Sequence, residues 1–327
     1  MMETSEKVFL TLLLTFLALA SLGKGNIKVQ PLLYALAFTG LFVAGLNSRL
    51  RIPDHFWPLL SLLVISPLGF RWIIIWVGIV IPLAIYIRVR GDLRPLKATL
   101  VFTSILLPLI PAIFGLIPIL NPQTRFHPLS ILYVLSGYSI ALLNSITPSI
   151  LITILGILIG VMSMYRSVIA LSILPLIYRG KVSIKLIVFA LLGVLLISIG
   201  RGVGVEDIVH RPSFTYGIYE KLYEVGMPWG KIMILPEPIP GYKVAAMFGG
   251  HKRYTYTIFG EAVADFGILG LFEGFLLGLC IRKLRKLKWA HAFGLTILSL
   301  GIEVGLDAFK LATLFILPFL GRDSNES

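Results

Sequence analysis

The chain has a single cysteine and few charged residues. Cys280 stands alone, so an internal disulfide and a cysteine-rich metal site are excluded. Asp, Glu, Lys and Arg make up 14% of the chain, against about 25% in an ordinary soluble domain. Hydrophobic residues make up 57%, and uncharged apolar stretches recur from Val8 to Leu320. A soluble enzyme and a disordered chain are therefore excluded.

The apolar stretches also lack the alternating ten-residue pattern of a membrane β-barrel. Only helices and closed barrels satisfy the backbone in lipid. The sequence therefore predicts an all-α, polytopic membrane helical bundle, with residues 1–327 forming a single integral membrane domain. We expect about twelve spans, within a range of ten to twelve, because three closely spaced pairs at 56–88, 148–178 and 289–320 are each short for two spans. They are 8–22, 31–47, 56–67, 71–88, 97–120, 129–145, 148–164, 166–178, 183–200, 257–281, 289–304 and 308–320.

Clusters of basic residues orient these spans. Arg88–Lys97, Arg179–Lys185 and Arg282–Lys288 hold four, three and five basic residues, and the positive-inside rule places all three in the cytoplasm. Twelve spans satisfy this arrangement if 148–178 is a hairpin broken near Arg166. We expect a multi-pass protein of the plasma membrane with both termini in the cytoplasm. The acidic flank of the first apolar segment is unlike a signal peptide, so we expect that helix to be retained.

Residues 201–256 form a long extracytoplasmic loop between two late spans. A loop of this length is usually functional or disordered, and its nine aromatic residues argue against disorder. Within it, 213–225 has the period of a short amphipathic helix that stops at Gly226 and lies on the outer membrane surface. The residues predicted on its apolar face are Phe214, Ile218, Leu222 and Val225.

The formal charge of +13 favours partners that are anionic lipids or phosphates. Nucleic acid is not predicted as a partner, because positive charge on a membrane protein first serves its topology. Seven of the cationic residues fall in the 201–256 loop, where five acids leave a net charge of only +2. Individual arginines and a histidine, rather than bulk charge, are therefore the candidates for function.

Three residues have the chemistry of a phosphate site. Arg166 lies at the outer turn of the proposed hairpin, Arg211 just before the amphipathic helix, and His251 just before the chain returns to the membrane. The planar fork of arginine donates two parallel hydrogen bonds to phosphate, and histidine transfers protons near neutral pH. The alternatives are an interfacial arginine that snorkels to water and a solvated loop histidine.

Other residues give weaker patterns. Glu206, Asp207 and His210 carry side chains of the kind that bind metals, but their spacing in the sequence is irregular. Glu261 can orient His251, pair with an arginine or cap a helix N-terminus. Asp307 and Lys310 are close enough in sequence to pair with each other. Cys280 lies at the cytoplasmic end of its span, so we interpret it as a packing residue rather than as the nucleophile of a transpeptidase.

Three stretches resemble the O-antigen polymerase and O-antigen ligase superfamily. The first is Arg166–Leu171, where an arginine and small and apolar residues begin a membrane helix. In the second, Arg211 precedes a helix and the turn at Pro228–Gly230. The third runs from His251 through Glu261 to the Gly-Ile-Leu-Gly sequence at 267–270. Residues 1–150 are similar only in their hydropathy profile.

The resemblance implies a type C glycosyltransferase that works without a metal or other cofactor. Such an enzyme transfers an oligosaccharide from a polyprenyl or dolichyl diphosphate carrier to an acceptor hydroxyl at the outer membrane face. Arg166 and Arg211 would bind the diphosphate, and His251 would be the general base or another phosphate contact. The further substrate-binding candidates are Arg253, Lys252, Tyr216 and Glu261.

Two alternatives stay open at this point. Polymerases and ligases of this superfamily differ in their acceptor, which the sequence does not identify. A flippase-like transporter of lipid-linked glycan or anionic lipid also needs external arginines. It would additionally need repeated halves with broken helices near the membrane midplane, and we find no such repeat.

Overall fold

A computed structural model describes residues 2–202, 204, 207–250 and 253–321, with only the backbone of residues 207–209. This part of the chain is helical and has no strand. Its α-helices, in chain order, are α1 Thr4–Lys24, α2 Val29–Asn47, α3 Phe56–Ile65, α4 Phe70–Ile75, α5 Ile81–Arg90, α6 Arg94–Ile113, α7 Ile131–Ile146, α8 Ile150–Met162, α9 Arg166–Tyr178, α10 Ile184–Gly200, α11 Asp207–Gly226, α12 Pro240–Met247, α13 Ile258–Phe266, α14 Leu271–Leu284, α15 Lys288–Val304 and α16 Ala308–Ile316.

Each predicted span overlaps at least one of these helices, but the span predicted at 97–120 is too long, because α6 ends at Ile113. Within the described ranges, six helices or helices joined end to end are long and apolar enough to cross a membrane. They are Thr4–Lys24, Val29–Asn47, Phe70–Arg90, Arg94–Ile113, Pro128–Ile146 and Ile258–Leu284. The predicted class, a helical membrane protein, is confirmed, whereas the count of twelve spans stays a prediction. The hairpin predicted at 148–178 is confirmed, because α8 ends at Met162 and α9 begins at Arg166.

The helices pack into two compact units. The first unit contains Met1–Gly91, Ile208–Leu287 and Ile297–Ser327. The second contains Asp92–Asp207 and Lys288–Thr296. The long loop that begins near residue 201 therefore contributes α11, α12 and the segments around them to the first unit.

In the first unit, α2 and α14 lie against each other through glycines. A Cβ atom on Gly45 would collide with the backbone carbonyl of Phe275, and one on Gly278 with that of Phe42. Small residues of this kind let two membrane helices approach backbone to backbone. The thiol of Cys280 is buried nearby and donates to the Leu314 carbonyl at 3.1 Å, as expected of a packing residue.

Ion pairs gather the basic segments at one end of the first unit. The Arg285 guanidinium donates to Glu6 at 2.6 Å, near the start of α1. Asp54 accepts from Lys283 and from Arg88, at 2.7 Å in each case. The N-terminal turn and the loop after α2 therefore lie at the same end as the basic residues that follow α5 and α14.

The helix α11 lies at the opposite end of α1. The Ser213 hydroxyl donates to the Ala20 carbonyl at 3.4 Å, and Lys24 forms an ion pair with Glu220. A helix rises by about 1.5 Å per residue, so Glu6 and Lys24 are separated by about 27 Å along α1. The structure thus places α11 and the basic segments at opposite ends of the first unit.

Two details of the predicted amphipathic helix are wrong. It begins at Asp207 rather than at residue 213, so Arg211 and Pro212 lie inside it, although it ends at Gly226 as predicted. Its buried face is centred on Tyr216, Tyr219 and Leu222, while Phe214 is 46% exposed. The buried face differs from the predicted apolar face because it packs against other parts of the protein. The Tyr219 hydroxyl, for example, donates to the Pro31 carbonyl at 2.7 Å.

The second unit positions the α8–α9 turn. The amide of Asn144 on α7 donates to the Thr153 hydroxyl of α8 at 2.9 Å and to the Ser172 carbonyl of α9 at 3.1 Å. A Cβ atom on Gly156 of α8 would collide with the Ser172 side chain. This close packing holds α8 antiparallel to α9 and leaves Arg166 at the first position of α9.

Candidate functional site

The loop after α11 lies directly on the start of the next span. The backbone N–H groups of Ile234 and Leu235 donate to the Asp265 carboxylate at 2.7 and 2.8 Å, and that of Met233 also donates to it. The Lys231 N–H donates to the Ala264 carbonyl at 2.8 Å. One carboxylate on α13 thus fixes the backbone of three consecutive residues, Met233 to Leu235.

Glycines make this contact sterically feasible. Gly230 has a φ of +75°, and a Cβ atom there would collide with the Asp265 carbonyl. Gly267 has a φ of +58°, and a Cβ atom there would collide with the Pro228 carbonyl. The turn at 228–230 and the glycines at 267–270 therefore pack against each other, although 37 residues separate Gly230 from Gly267.

Arg211 projects from the first turns of α11 and forms an ion pair with an acid of α15. Its Nε donates to the Glu303 carboxylate at 2.8 Å. Neither Nη group has a hydrogen bond to the residues that the structure describes. A guanidinium held at Nε retains two outward-facing donors, the geometry that suits a phosphate. Sequence reasoning missed Glu303, since no local pattern links it to Arg211.

The segment that leads into α13 packs beside the same part of α11. The hydroxyls of Thr215 and Thr255 share a hydrogen bond of 2.9 Å, and the rings of Phe214 and Tyr254 meet edge to face at 5.3 Å. Thr215 is one helical turn after Arg211. The second and third stretches of the family resemblance are therefore neighbours within the first unit.

Of the three candidate residues His251, Lys252 and Arg253, the structure describes Arg253 alone. It is exposed, and its guanidinium lies 5.7 Å from the centre of the Tyr242 ring. A stacked arginine keeps its in-plane donors available for an anion. His251 and Lys252 lie outside the described residues, so the predicted roles of both stay predictions.

Tyr216 is part of the core of the first unit. Its side chain is fully buried and packs edge to face on Tyr219 at 5.3 Å. Its hydroxyl has no hydrogen-bond partner among the described residues. Burial raises the pKa of the Tyr216 hydroxyl to about 12, so this phenol stays protonated at neutral pH. A substrate can reach it only if α11 moves.

Glu261 lies in the first turn of α13 and is fully buried. Within the described chain, no arginine pairs with it and no backbone N–H donates to its carboxyl oxygens. The arginine pairing is therefore absent among the described residues, whereas the first turn of α13 is the position at which a carboxylate stabilises a helix N-terminus. The third interpretation, orientation of His251, involves a residue outside the described chain. Asp307 and Lys310 do pair, as expected, and Asp307 also caps α16.

Arg166 belongs to the second unit. Its Nη2 donates to the Ser198 hydroxyl of α10 at 2.9 Å. A second arginine that sequence reasoning missed, Arg201, donates to the Met164 carbonyl in the α8–α9 turn. Nearby, the Tyr165 hydroxyl donates to the Arg125 carbonyl at 2.8 Å, and the Arg125 guanidinium lies 6.0 Å from the Tyr165 ring.

Three arginines of the second unit thus surround one turn. Their positions in sequence gave a partial signal, because Arg201 directly follows the predicted span 183–200. The arrangement concentrates positive charge where α8, α9 and α10 end or begin. Such a concentration is suited to an anionic group at the membrane surface.

Only part of the hypothetical metal site of Glu206, Asp207 and His210 lies within the described residues. Glu206 lies outside the described residues, and only the backbone of Asp207 is described. Among the side chains that the structure describes, no group of three or more His, Cys, Asp or Glu residues could hold a metal ion.

The comparisons with known proteins bear on the whole chain. Residues 3–315 match the family model described as "Putative O-antigen polymerase". No curated protein matches the chain, and neither does any solved structure. The match covers nearly all of the sequence, including the first 150 residues, for which only the hydropathy profile was similar. The family predicted from three stretches is confirmed, and the chain belongs to the O-antigen polymerase family.

Proposed function

We propose that the protein is a glycosyltransferase that transfers oligosaccharide units from a polyprenyl or dolichyl diphosphate carrier at the outer membrane face. Its family supports a membrane glycan polymerase or ligase with a lipid-linked oligosaccharide substrate. The observation that carries the proposal is the packing of α11 beside residues 253–257, which gathers Arg211 and Arg253 in one part of the first unit.

The proposed location at the outer membrane face rests on a comparison of the two ends of the first unit. Residues Arg88, Lys283 and Arg285 lie at the end of the first unit that holds Glu6, and α11 lies at the other end. The positive-inside rule assigns the basic end to the cytoplasm. Arg211 then faces the extracytoplasmic side, where a translocated carrier presents its diphosphate.

In the proposed reaction, the acceptor hydroxyl oxygen attacks the anomeric carbon of the donor sugar. The bond from that carbon to the diphosphate oxygen breaks, and the carrier leaves as a diphosphate. The Nη donors of Arg211, together with Arg253, stabilise the charge that develops on the leaving group. Arg166, which belongs to the second unit, keeps its predicted role as a diphosphate ligand. His251 takes the proton from the acceptor hydroxyl. If His251 instead donates to the diphosphate with Lys252, the departing diphosphate takes that proton.

Tyr216 and Glu261 have a different role in this scheme from the direct substrate binding predicted from the sequence. Both side chains are fully buried, so we propose that they support the site and contact substrate only after α11 or α13 moves. No step needs a metal, because arginine side chains supply the positive charge that a metal would otherwise provide.

A reconstituted assay tests the proposal. The purified chain in liposomes receives a lipid-linked oligosaccharide as its only substrate, and the products are separated by size. A polymerase forms a ladder of longer glycans, whereas a ligase forms product only after a different acceptor is added. Substrate that crosses the bilayer without any new glycosidic bond would identify the transporter alternative and overturn the proposal.

A further inference from the structure

Two glutamates face each other inside the first unit. Glu261 lies on α13 and Glu273 on α14, on either side of the 3₁₀ turn at Gly267–Gly270 that separates these helices. Glu261 is fully buried and Glu273 is 8% exposed. None of their four carboxyl oxygens has a hydrogen-bond donor within the described chain, and neither residue forms an ion pair there.

The two carboxyl groups lie within hydrogen-bonding reach of each other. Ionised carboxylates are acceptors only, so two of them cannot bond directly. A hydrogen bond forms between them only if one oxygen carries a proton. The close approach of the two carboxyl groups is therefore explained by one proton bound between them.

Among the described residues, no cationic side chain forms an ion pair with either glutamate. The other acids that interact electrostatically with Glu261 are Asp265 and Asp307. Asp265 is occupied by backbone N–H groups, and Asp307 by Lys310. From α2, the Tyr34 hydroxyl faces the pair but donates to the Gly267 carbonyl at 3.0 Å. Tyr223 of α11 lies against the Tyr34 ring, and Tyr256 donates to the Leu306 carbonyl.

Ionising both glutamates here would be costly. An unpaired ion loses favourable solvation on burial, and two like charges in contact repel each other as well. One shared proton removes one charge and gives the remaining carboxylate a donor. Ionisable groups within membrane helices are also rare enough to suggest a functional role.

We propose that Glu261 and Glu273 form a proton-binding site in which one proton is shared between the two carboxyl groups. The proton joins α13 to α14 across the helix break. Any motion that separates these helices exposes the pair to water and releases the proton, so proton binding is coupled to the position of α13. Glu261 also supports the proposed transfer site, but the proton site is tested by readouts other than glycan transfer, so the two proposals fail separately.

Infrared spectroscopy of the purified full chain in lipid nanodiscs tests the proposal. A protonated carboxyl in an apolar site has a C=O stretch at a frequency where carboxylates do not absorb. We expect this band at neutral pH in the wild type and its loss in both Glu261→Gln and Glu273→Gln. Glutamine is isosteric, and its amide donates to the remaining carboxylate. The matched control Glu224→Gln, an exposed acid on α11, should keep the band.

A chemical probe keeps the test decisive if a variant fails to fold. An apolar carbodiimide reacts with protonated carboxyls, and peptide mapping of the labelled wild type should place the adduct on Glu261 or Glu273. The proposal is overturned if the wild type lacks both the band and this adduct. It is also overturned if both glutamine variants fold and keep the band. Loss of the band on adding Na⁺ would identify a cation site instead and would likewise overturn it.

Discussion

Nε of Arg211 on α11 donates a 2.8 Å hydrogen bond to the carboxylate of Glu303 near the end of α15. Both side chains are more than one-third exposed, at 38% and 46%, so the pair contributes only about 0.2–1 kcal/mol to stability. Its effect is on orientation, because Glu303 engages Nε and leaves the two Nη groups to face a substrate. Glu303, which was not among the site residues predicted from the sequence, thus positions Arg211, the central arginine of the proposed site.

Replacement of Arg211 tests the central residue of the proposed site. We expect Arg211→Ala to lower the rate of glycan transfer by about 10²–10³-fold, the usual effect of removing one preorganised donor to developing charge. Arg211→Lys should recover only part of the rate, because lysine keeps the charge but not the bidentate fork. The measurement is the initial rate in liposomes at matched protein level.

The exposed Arg90 offers a control, since Arg90→Ala removes a guanidinium at the opposite end of the first unit. We expect that variant to retain the wild-type rate. Equal rates for Arg211→Ala and the wild type would show that Arg211 is not part of the site. Glu303→Gln should fall between these variants, because it loosens the arginine without removing it.

The proposed orientation is tested by labelling with a membrane-impermeant maleimide. Glu224→Cys on α11 should react from outside intact cells, whereas Arg90→Cys should react only after the membrane is opened. The native Cys280 is buried and provides little background. The reverse pattern of labelling would place α11 in the cytoplasm and contradict the proposed outer-face site.

The packing of the loop on α13 predicts a specific sensitivity to added volume. Gly230→Ala should lower the temperature of unfolding and abolish activity, because its Cβ atom would meet the Asp265 carbonyl. The cost should exceed the about 1–2 kcal/mol that a left-handed backbone conformation alone imposes on a residue with a side chain. Thermal unfolding in detergent measures the difference.

Gly180→Ala is the matched control for this experiment. Gly180 also has a positive φ, of +63°, but no atom lies within 4 Å of its Cβ position. Its replacement should therefore show the conformational cost without the collision. If the two variants unfold at the same temperature, the loop does not pack on α13 as described.

Removal of divalent metals tests the proposed metal independence. We expect the rate of transfer to be unchanged in the presence of a chelator, because the proposed site stabilises charge with arginines. The assay is the same initial rate, measured with and without the chelator after dialysis. Loss of activity that added metal restores would instead favour the alternative ligand set of Glu206, Asp207 and His210.

Local sequence patterns predicted much of the architecture. Apolar length located the helices, and the short interval at 148–178 with Arg166 in its middle indicated the hairpin. Gly226 marked the end of α11. These features depend on residues close together in the chain, so they are visible without a structure. The start of α11 was predicted wrongly, because the apolar period begins at residue 213, whereas the helix begins at Asp207 and continues through Pro212.

Hydropathy and local spacing are enough to predict the class of the protein, its apolar spans and the arginines and histidine that suit a phosphate. Which side chains meet is visible in the packed helices alone. The tertiary structure pairs Arg211 with Glu303 across 92 residues, lays residues 231–235 on Asp265 and brings Glu261 against Glu273. The physical reason is that hydropathy and helical period are local properties, whereas such pairings depend on how distant helices pack and leave no periodic signal in the chain.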